Sequence, residues 1–264
     1  MIPVVKHDAP SNPVQISPSI FAVDTAELDC ATVKNILSKF EQCRALNESN
    51  NMFVSVITVT YNRSRFIPAL LKCYENQIYS HAQTEWIILD DSDPEEQHKT
   101  EALFQEFSKT HPYIHYSVTD RKPMGSKLNE ATKLCKGDLI VVMDDDDYYP
   151  PTRISTAVKA FQANPTYQIA GCSKVYMYFQ EEAQTYVAGP YHDRHALHCT
   201  MAYRSSYLKT HRYDDKESCA IERVFTNDFT EPMIQLRSKK TILHMVHNSN
   251  TYRFKKSVTG LRKC

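Results

Sequence analysis

Apolar runs alternate with helical segments over residues 52–164, and this alternation restricts the fold more than any other feature of the chain. Four runs are predicted strands because they are apolar and rich in β-branched residues. They are 52–61, 85–91, 113–118 and 138–144. Each is followed by a segment with helical spacing, and these segments are 65–77, 95–110, 124–135 and 152–164. Such alternation predicts an α/β fold with a mostly parallel central sheet flanked by helices.

The chain departs from this pattern at both ends. Residues 1–50 have several early prolines and then helical spacing over 25–46, so we expect an N-terminal extension with one helix that packs on the main domain. The main domain is predicted to run from 51 to 264, and its second half to add a smaller mixed sheet. The halves are 51–155 and 156–264, and the second contains predicted helices near 204–211 and 216–229, a last strand over 240–247 and a basic tail.

Composition and charge exclude several classes of protein. Lysine plus arginine (31) equals aspartate plus glutamate (31), so no overall positive field recruits nucleic acid or an anionic membrane. No apolar run approaches the roughly 18 residues of a membrane span. The eight cysteines are scattered without a CxxC pair, which favours reduced thiols and a cytoplasmic location. Neither GxGxxG nor GxxxxGK(S/T) occurs, which disfavours a dinucleotide site and a P-loop.

Polar clusters follow three of the predicted strands. They are Thr60-Tyr61-Asn62-Arg63, Asp90-Asp91 and Asp144 to Asp147. Because ligands of open α/β sheets bind beyond the carboxyl ends of the strands, we expect the three clusters to meet in one crevice. Carboxylates bind Mg²⁺ or Mn²⁺ together with substrate phosphates, which predicts a nucleotide diphosphate held through a divalent metal. An EF-hand beginning at Asp144 is excluded, since Tyr149 and Ser155 replace its glycine and glutamate.

Residues 53–155 resemble a known family. The segments "VSVITVTYNRSRFIPALLKCYENQ", "EWIILDDSD" and "GSKLNEATKLCKGDLIVVMDDDDYYPPTRI" are similar to the nucleotide-binding half of GT-A glycosyltransferases, family 2 in particular. The resemblance implies a Rossmann-like GT-A domain with an acceptor-side mixed sheet. It also implies an inverting enzyme that uses a nucleotide-diphosphate sugar and Mn²⁺ or Mg²⁺.

The resemblance assigns roles on the donor side. Tyr61 would flank the base, and Asp91 would accept the N–H of a pyrimidine imide, which favours a UDP-sugar. Asp144 and Asp146 would form the DxD motif, with Asp146 the direct metal ligand and Asp145 or Asp147 in support. The other residues predicted to bind the nucleotide-sugar on this side are Thr60, Asn62, Arg63, Asp90, Asn129 and Asp145.

The third predicted helix departs from the family pattern. Leu128 stands where the family has a basic residue before Asn129. Lys127 is therefore either a substitute contact for the diphosphate or an ordinary surface lysine, and Arg121 is a second cationic candidate. Gly125 matches a family glycine and would serve a turn or a close backbone approach.

The acceptor side lies in the second half of the chain. Segment 198–229 resembles the family's acceptor region, where His198 and Cys199 would open a strand. Glu222 would be the general base that deprotonates the acceptor hydroxyl, with Asp228 as the fallback. His247 is preferred to His244 as a late metal ligand, and a structural histidine is its alternative reading.

The predicted function is a metal-dependent, inverting glycosyltransferase. It would move a sugar from a nucleotide-diphosphate donor to a hydroxyl of a glycan or glycoprotein. Two alternatives stay open at this point. One is a non-catalytic module that binds nucleotide-sugars or glycans on a degenerate GT-A fold, and the other is a sugar-1-phosphate nucleotidyltransferase.

Overall fold

The computed structural model of the chain describes residues 52–250 and 261–264. The predicted extension 1–50, with its helix, and most of the basic tail lie outside the described residues. The first half of the domain has the predicted βα order, with elements a few residues shorter than the sequence runs. Its elements are β1 Val54–Thr60, α1 Ile67–Glu75, β2 Thr84–Asp90, α2 Pro94–Ser108, β3 Ile114–Val118, α3 Met124–Leu134, β4 Leu139–Val142 and α4 Arg153–Ala163.

The second half consists of short strands and short helical turns. Its elements are β5 Ile169–Gly171, β6 Val175–Phe179, β7 Gln184–Ala188, β8 Ala202–Arg204, α5 Glu222–Phe225, β9 Met233–Gln235, α6 Ser238–Thr241, β10 His244–Val246 and β11 Arg262–Lys263. Two predictions here are wrong in extent. The helix near 204–211 is a 3₁₀ turn, Ser205–Lys209, and the strand over 240–247 is reduced to β10 because α6 occupies its first residues.

The predicted helix over 216–229 is also wrong, since only the four residues of α5 are helical. Ala220 before α5 and Asn227 after it have φ of +51° and +54°, which right-handed helix does not allow. The Thr226 hydroxyl donates to the Glu222 carbonyl at 2.7 Å and accepts the Phe229 N–H at 3.3 Å. This side chain offers the backbone an alternative to further helical bonds, so the helix ends there.

Seven strands form the central sheet in the order β3-β2-β1-β4-β8-β5-β9. β1 is parallel to β2 and β4, and β2 is parallel to β3. β8 is inserted antiparallel between β4 and β5. Thr60 pairs with Asp90 at the ends of β1 and β2, so the polar clusters that follow these strands begin at the same edge.

The smaller sheet has the order β10-β6-β7-β11. β10 is parallel to β6, and the other two pairings are antiparallel. The predicted combination of a mostly parallel central sheet and a smaller mixed sheet is therefore confirmed. Within residues 52–250 and 261–264, no helix has both the length and the apolar composition needed to cross a bilayer.

Alternate residues of the central strands supply two apolar layers, one on each face of the sheet. Val56 of β1 faces the layer beneath α1, α2 and α4, whereas the next residue, Ile57, faces the layer beneath α3 and residues 203–225. In the first layer Trp86 stacks on Tyr74 with ring centroids 4.3 Å apart. Burial on both faces explains why the central strands are continuous apolar runs rather than alternating ones.

Candidate active site

A cavity of about 320 Å³ opens at the carboxyl ends of β1 and β4. Residues that follow β1 and β4 line it, together with residues at and before the start of α3. The predicted residues that line it are Tyr61, Asn62, Arg63, Arg121, Lys127, Asp144, Asp145 and Asp146. The parallel topology therefore brings together residues that are up to 85 positions apart in sequence, such as Thr60 and Asp145, whose side chains are hydrogen bonded at 2.6 Å.

Asp91 and Lys127 form a buried ion pair beneath this cavity. The Lys127 ammonium donates to Asp91 Oδ1 and to the Thr60 carbonyl. Asp91 Oδ2 accepts from Arg121 at 2.8 Å and from the Lys122 N–H at 3.1 Å. Burial lowers the pKa of Lys127, and the Asp91 carboxylate opposes that shift. The reading of Lys127 as a surface lysine is therefore wrong, because it is only 4% exposed.

Tyr61 and Asn62 shape the wall that follows β1. The Arg121 guanidinium lies over the Tyr61 ring, 3.6 Å from its centroid. Asn62 has a φ of +53°, a left-handed conformation that asparagine tolerates better than most residues. Its backbone N–H donates to Ser92, and its side chain exchanges two hydrogen bonds with Asp93. The turn is thus locked to the residues that follow β2.

Arg63 bridges two of the four consecutive aspartates. It contacts Asp145 at 3.1 Å and Asp146 at a shorter distance, and it also donates to the Ser249 carbonyl. Burial and the neighbouring Asp146 raise the pKa of Asp145 to about 7. Burial also acts to raise the pKa of Asp146, but its contacts with His247 and Arg63 lower it overall. Asp146 therefore ionises more readily than Asp145.

Asp146 and His247 fit a divalent metal. Asp146 Oδ2 lies 3.2 Å from His247 Nε2, close to the roughly 3 Å that separates two neighbouring ligands around an octahedral ion with bonds of about 2.1 Å. His247 is held in place by Phe66, whose ring stacks on it at 4.6 Å. Asp144 lies at the same cavity with a quarter of its side chain exposed. The carboxylate oxygens at this position suit Mn²⁺ or Mg²⁺, whereas an imidazole ligand is more typical of transition metals.

The sequence did not predict a second group of side chains that could hold a metal ion. Asp147, Cys199 and His244 place a carboxylate oxygen, a thiol and an imidazole nitrogen within 4.8 Å of one another. Burial acts to lower the pKa of His244, but Asp147 at 2.8 Å raises it to about 9. This group is a tight ion pair beside a buried thiol. The spacing of the three residues in sequence gives no signal for it, because contacts distant in sequence bring them together. Asp147 and His244 flank an isolated antiparallel bridge between Tyr148 and Leu243.

A second cavity of about 410 Å³ adjoins the first. Glu222, His198 and Cys199 line it, and it shares Asp144 with the first cavity. Burial raises the pKa of Glu222 above the usual value of a glutamate. Burial lowers the pKa of His198 to about 3, so its ring is neutral and exchanges a hydrogen bond with the Tyr213 hydroxyl at 3.1 Å. The predicted acceptor residues therefore meet the aspartates at Asp144.

Seven predicted site residues line neither cavity. Thr60, Asp91 and His247 contact residues of the first cavity, and four others remain. Asp90 is buried and accepts from the Tyr116 hydroxyl and the Ser92 N–H, both at 2.8 Å. Asn129 binds the backbone of Tyr213 on the far side of α3. These two assignments are corrected to structural roles, since their polar groups are already hydrogen bonded within the protein.

The other two are Gly125 and Asp228. A Cβ added to Gly125 would lie 1.9 Å from the Asp214 carbonyl oxygen, so this glycine permits the close approach of a loop rather than contacting a ligand. Asp228 is exposed and pairs with Arg223 at 2.6 Å. It does not line the second cavity. The geometry leaves Glu222 as the base candidate. Leu128 fills the apolar core, which explains why a basic residue is replaced there.

The chain is similar in sequence and in structure to known proteins. A relative from Haemophilus influenzae, described as an uncharacterized glycosyltransferase, is 28% identical over 141 residues, or 52% of this chain and 44% of that protein. The chain thus spans less than half the length of that relative.

Two solved structures match at identities that demonstrate the fold alone, which confirms the predicted GT-A architecture. S. aureus TarS with UDP-GlcNAc has a TM-score of 0.59 at 19% identity, covering 75% of this chain and 60% of that one.

The second structure is the mannosyltransferase PcManGT from Pyrobaculum calidifontis in complex with GDP-Man and Mn²⁺. Its TM-score is 0.55 at 17% identity, and the match covers 75% of this chain and 58% of that one. A family model provides the broadest match in sequence. Residues 55–255 fit the model described as glycosyl transferase family 2, so this chain belongs to that family.

Proposed function

We propose that this chain is a metal-dependent, inverting glycosyltransferase with a nucleotide-diphosphate sugar as donor, UDP-sugar favoured, and a hydroxyl of a glycan or glycoprotein as acceptor. One observation carries the proposal. The cavity lined by Arg63, Arg121 and Lys127 adjoins the cavity lined by Glu222. The two cavities share Met124, Asp144 and Ser218. A donor in the first cavity would present its anomeric carbon towards a base in the second.

Asp144, Asp146 and His247 would hold Mn²⁺ or Mg²⁺. When bound, the ion would supply positive charge to the leaving diphosphate. Asp146 and His247 already lie at a spacing suited to neighbouring ligands, and the PcManGT complex is described with Mn²⁺. Arg63 would release Asp145 and Asp146 to the ion and turn its charge to the diphosphate, which Arg121 would also contact.

Glu222 would remove the proton from the acceptor hydroxyl. The acceptor oxygen would form a bond to the anomeric carbon while the bond from that carbon to the phosphate oxygen breaks, and the nucleoside diphosphate would leave with the electron pair. Because base and leaving group lie in different cavities on either side of Asp144, attack would come from the opposite face and invert the centre. The raised pKa of Glu222 supports this role, since a base works best near the operating pH.

Tyr61 and Arg121 would flank the base of the nucleotide. Arg121 covers the Tyr61 ring and also binds Asp91, so a base that stacks on Tyr61 would displace Arg121 and remove one of the two donors to Asp91 Oδ2. That oxygen could then accept the imide N–H of uracil, which favours UDP. The TarS complex is described with UDP-GlcNAc and the PcManGT complex with GDP-Man, so GDP is the competitor to test.

An assay of nucleoside diphosphate release tests the donor and the dependence on metal. The protein is incubated with a panel of UDP- and GDP-sugars with and without Mn²⁺, and release of nucleoside diphosphate is followed. We expect Mn²⁺-dependent release from a UDP-sugar. Release that is equal in EDTA, or confined to GDP-sugars, would refute the metal or the nucleotide assignment.

Variants separate binding from transfer. Asp146→Asn should abolish Mn²⁺-dependent nucleotide binding, measured by calorimetry. Glu222→Gln should keep that binding and lose transfer, whereas Asp228→Asn and the exposed-surface control Glu106→Gln should keep both. Full transfer activity in Glu222→Gln would show that the base is another residue.

A further inference from the structure

An aromatic wall lines the second cavity on the side of Tyr191 and His195. The two rings are 4.5 Å apart between centroids, and Tyr191 is 47% exposed at the cavity. Phe229 stacks behind His195 with ring centroids 4.7 Å apart and an angle of 24°. The proposed transfer chemistry uses none of these three residues. Tyr191 and His195 nevertheless line the same cavity as Glu222, which makes these two residues candidates for holding the acceptor.

The backbone that carries Phe229 is in an unusual conformation. Asn227, Asp228 and Phe229 all have φ between +54° and +59°. Asparagine and aspartate tolerate this left-handed region, but phenylalanine has no local side-chain hydrogen bond to compensate for it. Backbone strain of this kind persists only where the surrounding structure enforces it, and it is found disproportionately at ligand sites. Here the result is a fixed position for the Phe229 ring against His195.

His195 presents polar capacity that the protein leaves unused. Its Nδ1 is buried and has no hydrogen-bond partner among the described residues. Burial, together with the neighbouring His192, lowers the pKa of His195, so the ring is neutral at neutral pH. A neutral imidazole offers one donor and one acceptor nitrogen. It can therefore bind a hydroxyl group in either direction.

The charge of the cavity selects against anionic ligands. Over residues 52–250 and 261–264, the lining contains no lysine or arginine, while Asp144 and Glu222 contribute carboxylates. The remaining cationic candidate, His244, is paired with Asp147 at 2.8 Å. Away from Asp144, whose charge the proposed metal ion would compensate, a phosphate group such as that of a lipid phosphate would meet the Glu222 carboxylate and no lysine or arginine of the lining. A neutral molecule with hydroxyl groups meets no such repulsion.

We infer that the second cavity is a subsite for a neutral sugar ring of the acceptor, with one face of the ring on Tyr191 and a hydroxyl bound to His195. A pyranose has C–H groups on its face and hydroxyls around its edge, which matches an exposed aromatic ring beside an unsatisfied imidazole. Phe229 is a positioning residue that fixes His195. This inference rests on the proposed function and narrows its acceptor to a saccharide rather than a lipid phosphate or a protein side chain.

Saturation-transfer NMR tests the subsite without relying on turnover. The full chain is first given an excess of UDP and Mg²⁺. It is then mixed with one test ligand at a time. The ligands are the methyl glycosides of glucose, galactose, mannose and N-acetylglucosamine, farnesyl phosphate, and a serine-containing peptide. We expect saturation of the ring C–H protons of at least one glycoside. Tyr191→Ala should weaken its binding roughly tenfold through loss of the aromatic face, whereas Tyr191→Phe should stay close to the parent.

Tyr113→Ala is the matched control, because Tyr113 is 46% exposed at the start of β3, away from both cavities. It should bind the glycoside as the parent does. Binding of farnesyl phosphate or the peptide without any glycoside, or equal glycoside affinity in Tyr191→Ala and the parent, would overturn the inference. UDP affinity is measured on the same samples. Failure to bind UDP would instead count against the proposed function.

Discussion

Replacing Lys127 with methionine tests how much the buried ion pair between Lys127 and Asp91 contributes to stability. Methionine keeps an unbranched side chain of similar reach but removes the charge and the donors. Asp91 Oδ1 and the Thr60 carbonyl then lose the ammonium that binds both. The side chains of Lys127 and Asp91 are 5% and 0% exposed, so water does not readily replace the lost partner.

The expected cost follows from the groups that remain. Breaking a buried ion pair by removing one partner costs about 3–5 kcal/mol. Asp91 keeps Arg121 at 2.8 Å and the Lys122 N–H at 3.1 Å, which places the loss at the lower end of that range. We expect a loss of about 3 kcal/mol in the free energy of unfolding. At about 2–4 °C per kcal/mol for a domain of this size, Tm falls by about 6–12 °C.

Urea unfolding followed by tryptophan fluorescence measures this loss directly, because the chain has one tryptophan, Trp86, and it is fully buried in β2. Lys99→Met is the control. Lys99 also pairs with carboxylates, but on the exposed face of α2, where the pair contributes little to stability. Equal stability of the two lysine variants, or a loss in Lys127→Met below about 1 kcal/mol, would refute the reasoning from burial.

Three further predictions concern charge and packing at the site. Because the proposed base Glu222 must be ionised and its pKa is raised, kcat/KM should fall with acidity at a pH above the usual glutamate pKa of about 4.3. A kcat/KM that stays constant down to that pH would contradict the role of Glu222. Gly125→Ala places a Cβ 1.9 Å from the Asp214 carbonyl oxygen, so thermal unfolding should report a loss of about 1–3 kcal/mol, and an unchanged Tm would contradict the packing. Arg63→Ala removes the cation from Asp146, so Mn²⁺ should bind the nucleotide-free protein several-fold more tightly. Electron paramagnetic resonance measures this affinity, and an unchanged value would contradict competition between Arg63 and the ion.

The first half of the fold is predictable because its signals are local. Continuous apolar runs specify β1, β2 and β4, and the parallel topology then forces the polar residues after them to one edge. The convergence of Arg63 with Asp145 and Asp146 follows from that rule without any knowledge of side-chain contacts.

The second half is less predictable because its structure depends on contacts distant in sequence. The helix expected over 216–229 has suitable spacing, but the turn at Thr226 and the left-handed residues after it reduce the helix to α5. The outward position of Asp228 follows from that turn. The burial of Lys127 likewise depends on Asp91, 36 positions away, and a lysine in a helix gives no sequence signal of such a partner.

The antiparallel insertion of β8 beside β4 has a consequence for how such an enzyme can change. Val141 of β4 pairs with Ala202 of β8, and the Val142 N–H donates to the Met201 carbonyl at 3.1 Å. The segment before Asp144 and the segment after His198 are therefore neighbours in one sheet, separated by the usual strand spacing of about 4.8 Å. Backbone hydrogen bonds, rather than the closure of two separate domains, set the distance between the two halves of the site. Loops above the sheet can then diverge to accept new substrates while that distance is inherited unchanged.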